Sequence, residues 1–464
     1  MQYQNSVTAQ SATELALIYA YPLLAYQKAF SSLSPLIGVN NFGHSRQLAT
    51  STNRHVVKPN VDTLYSTSIF DVSKQDVVVR LPAIPEDQYA LLSFHSLYGD
   101  NFAIVDRQHL DHMKAFRLSY QQDDSTRAAA YHDPAHDASG EGLISSPTTF
   151  GFVMVRWLVK RDNLSVVHSL QNSTTIELVP GTNDGNLLNS PTIDNVQWNN
   201  SNVSPAEDAL RLLCQVGTAN RPKPVKENLT IEEVMEKAGL CDGIKTTSID
   251  LDVVNSNALA YAKTAGQEAT QCLNNGWSAV KANLTGNFGQ DYGLRMEIAS
   301  TGYLMLQAPY ALYPSWTNGT AARPMEGLRL ELGPNECYVY TFSGKPKLHG
   351  LGFWSLTAYD ADGYLIDNSH NVYSLGDRSN IRYSSGEPVY GSEADAGQDA
   401  PFQLLIQPAD VTPPSDWTDN WLPGPRGGGT ITALLRWYNA DESLMDGSYQ
   451  YPVVTKQGAY ESVA

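Results

Sequence analysis

The sequence predicts a mainly β fold in which a helical insert separates two β-sandwich domains. Three observations support this fold class. Short β-type runs punctuated by Pro, Gly and Asp fill residues 46–167, helical spacings occupy 204–307, and β-type runs return from residue 322. The first runs follow one another without intervening helices, which is typical of a sandwich rather than of alternating βα units. A length of 464 residues allows two or three domains, each with its own core.

The amino-terminal part begins with one predicted amphipathic helix over residues 11–30, since Leu15, Ile18, Tyr19 and Leu23 recur at helical spacing. Strands of the first sandwich follow. They are predicted at residues 63–70, 76–81, 89–97, 102–105 and 150–159. Residues 173–202 are rich in Asn, Thr, Gly and Pro and therefore predict a loop-rich connector.

The second half of the chain changes from helical to β-type patterns. Helices are predicted at residues 204–216, 230–239, 253–274 and 291–307, and strands at 328–332, 336–341, 352–359, 401–407 and 430–438. The predicted domains are an amino-terminal helix with its following segment (1–45), a β-sandwich (46–170), a connector with a helical domain (171–310) and a second sandwich (311–464).

The charge balance excludes several classes of partner. With 31 basic and 48 acidic residues the net charge is -17, which repels the phosphates of nucleic acids and anionic membrane surfaces. No apolar run approaches the roughly 18 residues that mark a spanning helix. The first ten residues lack the basic region of a signal peptide, which favours the cytoplasm. Secretion is the alternative, because seven Asn-x-Ser/Thr sequons occur, at Asn163, Asn172, Asn199, Asn202, Asn228, Asn283 and Asn318.

No cofactor is predicted. The chain lacks a GxGxxG turn after a strand, a GxxxxGK[ST] loop and a GxSxG elbow. His132 and His136, like His109 and His112, lie beside Asp residues, but Pro134 disfavours a helix that would align the first pair, so we expect a solvated insertion rather than a metal site. The four cysteines are widely separated and favour isolated thiols, with one disulfide left open; they are Cys214, Cys241, Cys272 and Cys337.

The segment KPNVDTLY at residues 58–65 holds the first candidate site. Pro59 restrains the chain, and Asn60 and Asp62 can bond their own backbone where a turn enters a strand, which is the structural interpretation. The functional hypothesis places Asp62 and Tyr65 in a cleft, where a carboxylate and a phenol could transfer protons. A buried and unpaired Asp62 would favour this hypothesis.

Further candidates lie at strand ends and in the carboxyl-terminal part. His95, Tyr98 and Asn101 in FHSLYGDN form a second polar cluster, or a histidine satisfied at a sheet edge. Arg378 beside Asp377 could anchor a loop or orient a substrate. The rings of Trp354 and Tyr373 could be core or could line a ligand cavity, together with other aromatic residues of this region.

Two stretches carry a resemblance to a known family. They are the amino-terminal residues 54–105, with KPNVDTLYS, and residues 352–452, with GFWSLTAYDADGYLIDNSHNVYSLGDRS and NWLPGPRGG. Together they resemble the paired domains of unknown function 1254 and 1214 and cover about half of the chain. The resemblance implies an immunoglobulin-like β-sandwich, a small helical domain and a jelly-roll-like β-sandwich. It implies no cofactor and no agreed catalytic residue.

Two functional hypotheses follow. The first is a cofactor-independent enzyme that acts on a small hydrophobic metabolite by isomerisation, cyclisation or elimination, as in natural-product biosynthesis. Such reactions need only shape, desolvation and proton transfer. Its catalytic residues would be Asp62, Tyr65 and His95. Its substrate-binding residues would be Asn60, Tyr98, Asn101, Trp354, Tyr373 and Arg378. The alternative is a carbohydrate- or small-ligand-binding protein that uses jelly-roll aromatics. A scaffold without a small-molecule site, and self-association, also stay open.

Overall fold

The structure of the protein is a computed structural model. It describes residues 8–462 except 55, 121–140, 161–162, 182–189, 200–201, 218, 221–229, 241–248, 320–326 and 396. His132, His136 and Cys241 lie outside the described residues. The structure confirms the predicted fold class: it is mainly β, with two sandwiches and a set of helices. No helix of the described residues is long and apolar enough to cross a membrane.

The helices that open the chain pack together with helices from its middle. The described α-helices are α1 (Ala9–Ala20), α2 (Pro22–Ile37), α3 (Arg107–His112), α4 (Leu164–Asn172), α5 (Pro205–Val216), α6 (Ile231–Lys237), α7 (Leu251–Ala269), α8 (Tyr292–Thr301) and α9 (Glu442–Asp446). α1 and α2 share one apolar core with α5, α6, α7 and α8. Ser204 with Glu207 and Thr230 with Glu233 form capping boxes that begin α5 and α6.

The prediction of a single helix over residues 11–30 was wrong, because α1 ends before Pro22 and α2 begins at Pro22. Proline has no amide hydrogen and its ring clashes with the preceding turn, so it is tolerated at the start of a helix and not in its middle.

The first sandwich has a five-stranded and a four-stranded sheet. The first sheet has the order β1 (Phe42–His44), β2 (Thr63–Asp71), β8 (Phe150–Leu158), β4 (Ala90–Ser96), β5 (Asn101–Val105), and the second has β7 (Gly142–Ser146), β6 (Ala115–Tyr120), β3 (Gln75–Arg80), β9 (Thr175–Pro180). Their inner faces meet in a core that contains Phe70, Val79, Phe94, Phe116 and Trp157.

The prediction of a loop-rich connector missed β9, which pairs with β3 at the edge of its sheet. Most of its side chains are exposed, so the sequence shows no run of buried residues there.

The second sandwich pairs two four-stranded sheets. One sheet has the order β13 (Leu330–Leu332), β19 (Gly429–Ala440), β15 (Leu348–Tyr359), β16 (Ser374–Gly376), and the other has β18 (Trp421–Gly424), β17 (Phe402–Pro408), β14 (Glu336–Phe342), β20 (Val453–Gly458). A small sheet joins β10 (Thr270–Cys272), β11 (Trp277–Val280) and β12 (Ser315–Trp316). Trp354, Trp437, Tyr340 and Phe402 fill the core between the two large sheets.

The two sandwiches pack together through outer faces of their sheets. Side chains alternate along a strand, so the residues of β15 and β19 next to the core tryptophans point away from that core. Among them, Phe353 and Tyr438 pack against Tyr89 and Leu158 of the first sandwich. The outer face of the five-stranded sheet also contacts the helices, since Phe152 and its neighbours on that face are part of the helical core. Both faces of this sheet are therefore buried.

Candidate functional site at the junction of the sandwiches

A buried ion pair crosses the junction between the sandwiches. Asp62, which directly precedes β2, accepts hydrogen bonds from Arg378 Nη2 at 2.7 Å and from Ser355 Oγ at 2.6 Å. Arg378 also donates to Asp377 at 2.7 Å. Burial raises the pKa of Asp377, and the charge of Arg378 opposes that rise. Asp62 is thus buried, as the functional hypothesis requires, but it is paired rather than free.

Asn60 shapes the turn that delivers Asp62 to the junction. Its Oδ1 accepts hydrogen bonds from the backbone N–H groups of Asp62 at 2.6 Å and Thr63 at 3.1 Å. Its Nδ2 donates to the hydroxyl of Tyr438, on β19, at 2.5 Å. The turn predicted by the structural interpretation is therefore present, and its residue Asn60 also contacts the second sandwich.

Two arginines that the sequence reasoning missed lie at this junction. Arg156, on β8, is 8% exposed, its guanidinium lies over the rings of Tyr65 and Tyr438, and its Nε donates to Tyr65 at 3.4 Å. Arg436, on β19, is 4% exposed and donates to the hydroxyl of Tyr359 at 2.5 Å. A shared signal could have found them. In both strands an apolar residue and a tryptophan flank the arginine, as VRW at 155–157 and LRW at 435–437.

The cluster predicted around His95 is dispersed along the first sheet. His95 is fully buried, and its Nε2 lies 3.3 Å from the hydroxyl of Ser93. The hydroxyl of Tyr98 donates to the carbonyl of Asn220 at 3.1 Å and its ring packs in the helical core. Asn101 donates to backbone carbonyls of its own hairpin. These side chains bind protein groups rather than converge on Asp62.

A cavity of about 550 Å³ lies between the two sandwiches. Residues 48–50 and Val61 of the amino-terminal part line one side, and loops and strand ends of the second sandwich line the other. The lining of this junction cavity comprises Leu48, Ala49, Thr50, Val61, Asn371, Val372, Tyr373, Ser374, Leu375, Ser379, Asn380, Thr418, Asp419 and Trp421. Tyr373 is the predicted site residue in this lining, and its hydroxyl lies 3.2 Å from that of Ser51.

The junction cavity and the ion pair are neighbours. Ser374 lines the cavity, and its Oγ lies 3.5 Å from Asp62 Oδ1. Trp354, in contrast, is fully buried in the core of the second sandwich, where its indole N–H donates to Tyr390 at 3.1 Å. Of the predicted residues, Asn60, Asp62, Tyr65 and Arg378 meet at the junction, and Trp354 lies behind the sheet.

One cluster of the described residues has a metal-ligand composition. His349, Asp441 and Glu442 place one ligand atom each within 4.8 Å of one another, with two of the side chains exposed. Asp441 also caps α9 through Ser443. His109, from the sequence candidates, pairs instead with Asp106 at 2.7 Å at the start of α3.

The described cysteines form no disulfide with one another. Cys214 is half-buried, Cys272 is exposed and Cys337 is buried.

The fold and the site define a protein of two packed sandwiches with a cavity of ligand size at their junction. Two family models match the chain, each described as a protein of unknown function: DUF1254 at residues 39–177 and DUF1214 at residues 320–442. The chain therefore belongs to the family that combines these two domains, as the sequence resemblance implied.

Two solved structures are similar to this chain. The VPA0106 protein from Vibrio parahaemolyticus is 17% identical, with a TM-score of 0.62 over 97% of this chain and 100% of its own. This likeness supports the fold. An uncharacterised protein from Burkholderia cenocepacia is 12% identical, with a TM-score of 0.41 over 95% of this chain and 87% of its own. No curated protein matches the chain.

The buried His95 predicts a specific loss of stability in acid. Burial, together with the nearby charge of Arg156, lowers its pKa to about 3. Between that value and the ordinary pKa of about 6.5, the unfolded chain binds a proton that the folded chain does not, so stability falls as pH falls through this window. We expect the pH dependence of the unfolding free energy at pH 4–6 to be shallower in His95→Gln than in the unsubstituted protein. The difference should be about 1.4 kcal/mol per pH unit by urea denaturation.

The exposed Leu259→Gln, on α7, provides the control for this measurement, since it changes no titratable group and should leave the slope nearly unchanged. Equal slopes for His95→Gln and the unsubstituted protein would contradict a buried, neutral His95.

Proposed function

We propose that this protein binds a small, uncharged saccharide, which carries hydroxyl or amide groups, in the junction cavity. The observation that carries the proposal is the cavity itself, which both sandwiches line. Its volume of about 550 Å³ lies within the range of roughly 300–1,000 Å³ that is typical of small-molecule sites.

The chemistry of the lining favours an uncharged ligand. Hydroxyl and amide side chains supply both donors and acceptors, and they come from Thr50, Asn371, Tyr373, Ser374, Ser379, Asn380 and Thr418. Asp419 is the charged residue of this lining, and Arg382 already pairs with it at 2.7 Å. Trp421 and Tyr373 add aromatic surface, which packs well on the apolar face of a sugar or another ring. A carbohydrate-like ligand fits this combination.

Filling the cavity tests the binding proposal. Thr418 is exposed and lines the cavity from a short 3-10 helix, Ser415–Asn420, so Thr418→Trp should occupy ligand space without disturbing a core. We expect the unsubstituted protein to bind at least one saccharide on a glycan array. In Thr418→Trp this affinity should fall at least tenfold, measured by isothermal titration.

The matched control is Ser415→Trp, an exposed residue of the same short helix that does not line the cavity. It should bind like the unsubstituted protein. An array without a bound saccharide, or equal affinity for Thr418→Trp, would contradict the proposal.

The second candidate is the cofactor-independent enzyme that the sequence suggests, acting by isomerisation, cyclisation or elimination. One observation favours it: the junction cavity reaches Ser374, whose hydroxyl neighbours the carboxylate of Asp62. A bound substrate could exchange a proton through this serine with Asp62, while Arg378 fixes the carboxylate. Tyr65, whose hydroxyl lies beside Arg156, would be the second proton-transfer group.

Substitution of Tyr65 tests the enzyme candidate. Tyr65 is half-buried and its hydroxyl makes one long hydrogen bond, so Tyr65→Phe should fold with an unchanged melting temperature. Comparison of metabolites in cells with and without the protein would identify the substrate. We then expect Tyr65→Phe to lose turnover of that substrate, and Tyr261→Phe, on the exposed face of α7, to retain it. Full turnover by Tyr65→Phe would contradict the assigned role.

The cytoplasmic location stays a prediction, with secretion as the alternative that the sequons keep open. Self-association also stays a prediction, and size measurements in solution would test it.

A further inference from the structure

We infer that Arg156 and Arg436, with the tyrosines around them, form a second site that binds a small monovalent anion: a carboxylate group or a halide ion. This inference does not rest on the binding proposal, because neither arginine lines the junction cavity. The site, called here the arginine–tyrosine site, consists of Arg156, Arg436, Tyr65, Tyr89, Tyr313 and Tyr438.

The buried charges at the junction do not balance. Three arginines lie at the junction: Arg156, Arg378 and Arg436. Among the described residues, the carboxylates that bond them are Asp62 and Asp377, and both bond Arg378. Three positive charges less two negative charges leave one positive charge without a counterion. A buried charge without a partner is costly, so one negative charge at this place would be stabilising.

The two arginines differ in their hydrogen-bond partners. Arg436 donates to the hydroxyl groups of Thr357 and Tyr359 and to the backbone carbonyl of Lys58. Arg156 has fewer partners. Over the described part of the chain, its buried Nη1 has no hydrogen-bond partner. Since buried guanidinium groups are nearly always bonded, this nitrogen can take an acceptor, and an anion placed between Arg156 and the neighbouring Tyr89 hydroxyl would accept from both.

Tyrosine side chains make up much of the surroundings of Arg156. Tyr65, Tyr313, Tyr438 and Tyr89 surround Arg156. Burial raises the pKa of Tyr438 and Tyr89, so their phenols stay protonated and can donate. The buried hydroxyl of Tyr89 lies within hydrogen-bond range of Arg156, which leaves its own proton to donate. A site made of guanidinium and phenol donors is complementary to an anion, which only accepts.

The packing limits the size of the anion. Phe353 stacks on Tyr438 with ring centroids 4.2 Å apart, and Tyr89 meets Phe353 edge-on at 5.0 Å. The Arg156 guanidinium lies over the ring of Tyr438 in this packed group, 5.1 Å from its centroid. Tyr65 and Tyr313 are only half-buried, so the site borders solvent on their side. A halide, or a single carboxylate group, is compact and matches the single unbalanced charge.

Thermal unfolding in sodium formate tests the inference. Ionic strength would be held constant with the sodium salt of MOPS, a bulky sulfonate. We expect a saturable rise in the melting temperature of the unsubstituted protein, of about 2 °C. Arg156→Met should abolish the rise. Arg80→Met, which removes a half-exposed arginine from the same sandwich, should retain it.

A second measurement needs no variant. Crystals of the full chain soaked in sodium bromide should show an anomalous peak beside Arg156 Nη1. This result decides the question even if Arg156→Met fails to fold. The absence of a peak there, or a formate response that Arg156→Met leaves intact, would overturn the inference.

Discussion

Asp62 meets Arg378 at 2.7 Å where the outer face of one sandwich lies on the outer face of the other. Both groups are largely removed from water, and the desolvation of such a pair offsets much of its Coulomb attraction. A pair of this kind contributes little net stability but is costly to break, because the remaining charge stays buried. It therefore fixes how the sandwiches can meet, and Ser355 adds a second bond to the same carboxylate.

The turn that carries Asp62 connects the two candidate sites. Val61 lines the junction cavity, whereas Asn60 bonds Tyr438 of the arginine–tyrosine site. The carbonyls of Lys58 and Pro59 accept from Arg436 and Tyr359 of the second sandwich. The five consecutive residues 58–62 thus contact the cavity on one side and the buried arginines on the other. A ligand at either site would act on the same turn.

Much of the fold could be predicted from local patterns. The strand at 63–70, for example, lies within one residue of β2, since its β-branched and aromatic residues are bounded by turn residues. The prediction from the sequence was less accurate where an element is exposed, as in β9. It was also less accurate where one residue interrupts a helical pattern, as Pro22 does between α1 and α2. The family resemblance at the two ends of the chain was confirmed.

The site was predictable only in part, for a physical reason. Asp62 and Arg378 were both proposed, yet 316 positions separate them, so no local spacing relates them as a pair. Arg156 and Arg436 were missed because a single arginine in an apolar strand looks like an edge residue. Only the packing of sheet on sheet shows that the side of the strand opposite the core is also buried.

The most direct test of this account is a double-mutant cycle between Asp62 and Arg378, with Asp62→Asn, Arg378→Met and both together followed by urea unfolding. We expect Arg378→Met to destabilise the protein by about 3 kcal/mol, because it leaves the carboxylates of Asp62 and Asp377 unpaired, and Asp62→Asn to cost less, because Arg378 keeps Asp377. The double variant should lose less than the sum of the two, because it leaves the carboxylate of Asp377 unpaired but no longer that of Asp62. Losses that add to within about 0.5 kcal/mol would show that the two residues do not interact and would contradict the account.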